Sequence, residues 1–173
     1  MSLVQLQDSL GDFANDIKIN LSNVFKEENG MTRVQIAGIA LSSAYTTRNK
    51  ELMEAIEAVF SAELTDAIKT AAKAACTLMA MNNVYYRAVH LMSDQEYLKM
   101  PAQLRMNFMT NPGVEKLDFE MYSLAVSAIN GCGMCIDSHA NKLSKDGVSK
   151  PMIQHVLRIA GVVNATAQAI YLS

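Results

Sequence analysis

Apolar residues recur every three or four positions along this chain, and no segment alternates apolar with polar residues as a half-buried strand would. That period admits helices and leaves no segment from which to build a sheet. Breakers are sparse: eight glycines and three prolines punctuate 173 residues. Leu3, Leu6, Leu10, Phe13, Ile17 and Leu21 share one helical stripe, and Asn29-Gly30 is expected to close it, because both tolerate a left-handed cap. Thr32 and Gln35 form a capping-box signature ahead of the apolar run Val34 to Ala44. Further helices are expected over Asn49–Phe60 and, in an alanine-rich stretch that favours helix, over Thr65–Leu91. Ser93 and Glu96 read as another capping box, and Pro101 divides the segment after it. After the turn Asn111-Pro112-Gly113, helices are predicted over 116–129 and 132–144, broken at Asn130-Gly131. Ser149 should cap a last helix with Pro151 in its first turn. The fold class is all-α, a helical bundle, and the length suits one domain over 1–173 with a full core.

The charge pattern narrows the function. A formal net charge of -2 gives no reason to expect nucleic acid or an acidic membrane surface as partner. The amino terminus carries Asp8, Asp12 and Asp16 rather than a basic segment leading into an apolar one, which argues against a secretory signal. The longest uncharged run, Met121 to Ile136, falls short of the ~18–20 apolar residues a membrane span requires. A cytoplasmic location is expected, where a Cys-x-x-Cys pair points to redox or metal chemistry rather than to a structural staple.

The chain reads as internally doubled, roughly 31–90 against 116–173, at a spacing of 85 residues. Ala40, Ser42 and Ala44 fall opposite Ala125, Ser127 and Ile129, and Ile68, Lys73, Ala75, Ala80 and Tyr86 fall opposite Ile153, Arg158, Ala160, Ala165 and Tyr171. The bundle is then built from two similar halves. Cys132, Cys135 and His139 fall opposite Thr47, Lys50 and Glu54, so only the second half would hold chemistry.

That chemistry sits between Glu120 and His139. A thiolate, not a thiol, attacks a peroxide or a disulfide. Gly131 breaks the chain just before Cys132, which places both sulfurs in the first turn of a helix, where unpaired amides and the positive dipole end favour an anion. Three residues apart, Cys132 and Cys135 share a face and can close a disulfide, and His139 lies on that face too. Glu120 lies nine residues before the turn, roughly 14 Å back at ~1.5 Å per residue, so it can meet His139 across a helical hairpin. A carboxylate there would orient the imidazole, which could pass protons to and from the sulfurs as a general-base relay. The competing reading is zinc on Cys132, Cys135, His139 and Glu120 or Asp137, a helical metal-binding module. No second cysteine pair supports it, and Cys76 is distant in sequence. Cys76, His90 and His155 are expected to be packing or surface residues, and the twelve methionines core filler.

At Glu120, Cys132, Cys135 and His139, followed by Lys145-Asp146-Gly147-Val148-Ser149 and the run Leu157–Asn164, the chain resembles the alkyl hydroperoxidase D (AhpD) family of the carboxymuconolactone decarboxylase-like superfamily. The resemblance covers most of the second half, and the length and doubling fit the two-repeat form of that family. It implies an AhpD-like all-helical bundle that assembles as trimers or multiples of trimers. It implies a lipoyl-dependent peroxidase that reduces a hydroperoxide substrate in antioxidant defence, with no bound cofactor or metal. Cys135 would become the sulfenic acid. Cys132 would donate a proton and then resolve the sulfenic acid to a Cys132–Cys135 disulfide, with Glu120 and His139 as proton relay. The implied reductant is a dihydrolipoyl dithiol on a 2-oxoacid dehydrogenase component, and the implied partner a peroxiredoxin, AhpC. Members of the family have histidine where this chain has Met134, and methionine cannot shuttle protons. A redox adaptor with little peroxidase activity of its own is therefore the alternative function.

Overall fold

A computed structural model describes residues 2–26 and 29–173. Among them are nine α-helices and no strand: α1 Leu3–Ser9, α2 Asn15–Val24, α3 Arg33–Thr47, α4 Lys50–Val59, α5 Asp66–Leu91, α6 Glu96–Lys99, α7 Lys116–Asn130, α8 Gly133–Lys145 and α9 Lys150–Leu172. Short 3-10 turns occupy Asp12–Ala14 and Asn107–Thr110. The all-helical expectation is met.

Side-chain caps start the main helices. The Thr32 hydroxyl accepts from the Gln35 amide at 3.2 Å while the Thr32 amide donates to the Gln35 side chain at 2.9 Å, the reciprocal box expected there. Asn49, Thr65 and Ser149 each accept from the amide three residues on, at the heads of α4, α5 and α9.

Three local readings need correction. The amino-terminal stripe is not one helix: the chain is extended at Gly11, α1 and α2 lie on either side, and Phe13 is left 64% exposed while Leu6 and Leu21 are fully buried. Its end also differs, since α2 stops at Val24 ahead of the left-handed Asn29-Gly30. Ser93 and Glu96 form no capping box. The Asp94 carboxylate takes the Glu96 amide at 3.0 Å, a closer competitor for the same donor, and α6 lasts only to Lys99.

Two helices are buried all round. Every residue of α3 from Ile36 to Ala44 is buried, as is α7 at Phe119 and from Met121 to Ser127. They pack on each other, and each is flanked by both α5 and α9. α4 folds back on α3 as α8 folds back on α7. Arg33 and Lys116 are separated by 83 residues, as are Lys50 and Gly133, and Asp66 and Lys150 by 84, within two residues of the spacing read from the side chains.

At the head of α7, the Gln35 side chain donates to the Asp118 carboxylate at 2.8 Å, tying α3 to α7. Burial pushes the Asp118 carboxyl above its ordinary value, the Gln35 hydrogen bond opposes that, and Glu115 adds to it. A carboxyl whose folded pKa is raised holds its proton more tightly folded than unfolded, so stability falls as pH rises from the ordinary value through the raised one. Asp118→Asn keeps an acceptor for Gln35 and removes the charge. Thermal melts should show the variant more stable than the parent at pH 7, with the gap closing in acid; a gap independent of pH would contradict the assignment.

Candidate active site

The connection from α7 to α8 is short because Gly131, at φ +69°, closes α7 in the left-handed region. The Gly131 amide donates to the Ala128 carbonyl and the Cys132 amide to the Ser127 carbonyl, both at 3.2 Å, a Schellman pattern. This turns the chain so that α8 runs back along α7.

Cys132 is the N-cap of α8, one residue outside the helix rather than within its first turn as expected. Its backbone is extended, its Sγ accepts from the Cys135 amide at 3.3 Å, and its carbonyl accepts from the Ile136 amide at 2.9 Å. Cys132 and Cys135 are joined as a disulfide with their Cα atoms 5.3 Å apart. The two cysteines differ in access. Cys132 is fully buried, whereas Cys135, 6% exposed, lines a cavity of about 410 Å³.

His139 lies one turn beyond Cys135 and lines the same cavity. Its Nδ1 is 2.7 Å from Glu120 Oε2 on α7, the contact expected across the hairpin. Its Nε2 is 3.2 Å from the Met79 sulfur on α5, not aimed at a cysteine. A thioether can only accept, so the contact to Met79 orients the ring through Nε2 while Glu120 orients it through Nδ1.

Four of the nine residues that line the cavity are methionines. Met134 comes from α8, Met79 from α5, and Met106 and Met109 from the segment after Pro101. Met106 is held in place by the Asn82 side-chain amide, which donates to its sulfur at 3.0 Å, while the Asn82 carbonyl lies 4.0 Å from Cys135 Sγ. These four methionines depart from the expected role of core filler, and neither they nor Asn82 carry a motif. Methionine is unbranched and polarizable, so it suits an apolar ligand of variable shape.

The other candidates stay apart from this site. Cys76 on α5 is half-buried and accepts from the Thr46 hydroxyl at 3.7 Å. His90 is exposed and His155 is fully buried in α9. Among the described residues no three His, Cys, Asp or Glu side chains converge as metal ligands. No helix among them is long and apolar enough to cross a membrane.

Residues 95–172 match the carboxymuconolactone decarboxylase family. The chain is 56% identical over 164 residues to a protein of Coxiella burnetii (strain RSA 493 / Nine Mile phase I) named alkyl hydroperoxide reductase AhpD, covering 94% of this chain and 93% of that one. It is 50% identical over 170 residues to the protein of the same name from Bradyrhizobium sp. (strain BTAi1 / ATCC BAA-1182), and 48% identical over 170 residues to that from Rhodopseudomonas palustris (strain BisA53). Each of these two alignments covers 98% of this chain and 93% of the relative.

Proposed function

We infer, for a chain that belongs to the alkyl hydroperoxide reductase AhpD family, a thiol-dependent reduction of organic hydroperoxides through Cys132 and Cys135. The observation that carries this is the disulfide-bonded Cys-x-x-Cys pair at the head of α8 with only one cysteine, Cys135, on the cavity.

Cys135 attacks as its thiolate, displacing alkoxide from the terminal peroxide oxygen and becoming a sulfenic acid. The alkoxide takes a proton and leaves as alcohol. His139 lies on the same wall with Glu120 at its Nδ1, and this pair is the relay that would supply the proton. Cys132 then attacks the Cys135 sulfur, hydroxide leaves as water, and the disulfide forms. The Cys135 amide supports the Cys132 sulfur as a thiolate for this step. A dihydrolipoyl dithiol, carried on a lipoylated 2-oxoacid dehydrogenase component, restores both thiols by exchange. The reading extends to a cytoplasmic protein assembled as a homotrimer or a multiple of it.

Met134 favours a second reading. It stands 36% exposed on the cavity, where members of the resembled family carry histidine, and it offers no proton. Electrons would then pass from the lipoyl dithiol through Cys132–Cys135 to a peroxiredoxin such as AhpC. Hydroperoxide consumption driven by dihydrolipoamide, with and without AhpC, separates the two. Steady turnover without AhpC supports the peroxidase. Turnover only with AhpC supports the adaptor. No turnover in either arm contradicts both.

A further inference from the structure

One face of α5 meets the whole functional hairpin. Met79 and Asn82 reach the cavity, and Asn83 and Arg87, four and eight residues beyond Met79, reach the turn between α7 and α8. Asn83 is 1% exposed. Its side-chain amide donates to the Ser127 hydroxyl at 3.0 Å, and its oxygen accepts from the Asn130 side-chain amide at 2.9 Å. The Arg87 guanidinium donates to the Asn130 backbone carbonyl. Ser127 is the residue whose carbonyl takes the Cys132 amide, and Asn130 is the last residue of α7. A buried asparagine in mid-helix is costly unless both ends of its amide are satisfied, and here both ends serve one turn.

We propose that Asn83 and Arg87 are positioning residues: they clamp the α7–α8 turn and so fix Cys132 against Cys135, setting the stability of the disulfide and with it the redox poise of the pair. This rests on the proposed thiol function and names the residues that tune it. Closing a disulfide between two cysteines depends on how much freedom the dithiol must give up. In the disulfide-bonded structure Cys132 sits as N-cap with its sulfur on the Cys135 amide, and a turn clamped from α5 keeps that placement in the dithiol, so little is lost on oxidation. A loosened turn gives the dithiol more freedom than the disulfide, and the disulfide becomes easier to reduce.

The test is equilibration of the full-length protein with mixtures of oxidised and reduced dithiothreitol, reading the fraction of Cys132–Cys135 disulfide by thiol alkylation and mass, alongside a thermal melt. Asn83→Leu and Arg87→Met should each shift the equilibrium toward the dithiol by about tenfold, which is about 30 mV for a two-electron couple. Arg87→Lys, which keeps a donor for the Asn130 carbonyl, should stay close to the parent. A purely structural role would lower the melting temperature and leave the potential alone. Should Asn83→Leu fail to fold, the exposed Arg87 decides: an Arg87→Met potential within twofold of the parent overturns the clamp. A parent protein that forms no reversible disulfide contradicts the thiol function itself. Equal potentials in a parent that does form it contradict only the clamp.

Discussion

Cys135→Ser is expected to abolish hydroperoxide turnover, lowering the rate by at least about 10³-fold, the scale on which loss of a catalytic nucleophile acts. A serine hydroxyl does not ionise near neutrality and is a poor nucleophile toward a peroxide O–O bond. No other thiol can substitute from its present place: Cys132 is fully buried, and neither it nor Cys76 lines the cavity. Cys132→Ser should fail differently. Its Cys135 still meets the first equivalent of hydroperoxide and gains one oxygen, but no disulfide forms within the chain and the sulfenic acid persists until an external thiol reduces it. Hydroperoxide consumption by the pre-reduced proteins with no reductant added distinguishes them, as one rapid equivalent for Cys132→Ser and none for Cys135→Ser. Unchanged turnover in Cys135→Ser would remove the nucleophile from the account.

The second large effect is on the scaffold. Gly38 lies in the buried middle of α3, and a Cβ built there would overlap the hydroxyl and ring of Tyr122, itself fully buried on α7. The ring has nowhere to swing, because close-packed interiors hold few voids. Gly38→Ala therefore forces the two central helices apart. Overpacking costs about 1–3 kcal/mol and occasionally more. Here we expect the upper end, about 3 kcal/mol, or a melting temperature lower by roughly 6–12 °C for a chain of this size. Cutting Tyr122 back to leucine should recover part of the loss, so the double variant is more stable than the sum of its single effects. A Gly38→Ala protein that melts within a degree of the parent would show that α3 and α7 do not approach as closely as described.

Sequence patterns reveal what is local in the chain. The contact between Glu120 and His139 is legible because one short turn joins their helices and Gly131 marks that turn. The boundary of α8 differs from expectation by one residue because capping is decided by backbone angles: Cys132 shares the face of Cys135 yet stands outside the helix. The amino-terminal stripe keeps its apolar spacing across Gly11 although the helix does not, since periodicity does not record whether the backbone is continuous, and the break leaves Phe13 facing outward. The thioether wall is not legible. Met79 and Met106 meet His139 and Asn82 only through tertiary packing, and nothing in the spacing separates a cavity methionine from a core one. Asn82-Asn83 does leave a signal. Two weak helix formers sit midway along an alanine-rich helix, where the backbone alone would not select them, and both prove to be buried.

The central claim is that one hydroperoxide molecule oxidises one pair of thiols, Cys132 and Cys135, reversibly. The direct test is to reduce the protein fully, add one equivalent of an organic hydroperoxide, and count free thiols and map them by mass. Of the three cysteines, one should remain free, Cys76, with one equivalent of alcohol formed and both lost thiols restored by dihydrolipoamide. Three free thiols with the hydroperoxide unconsumed, or oxidation falling on Cys76 instead, would contradict it.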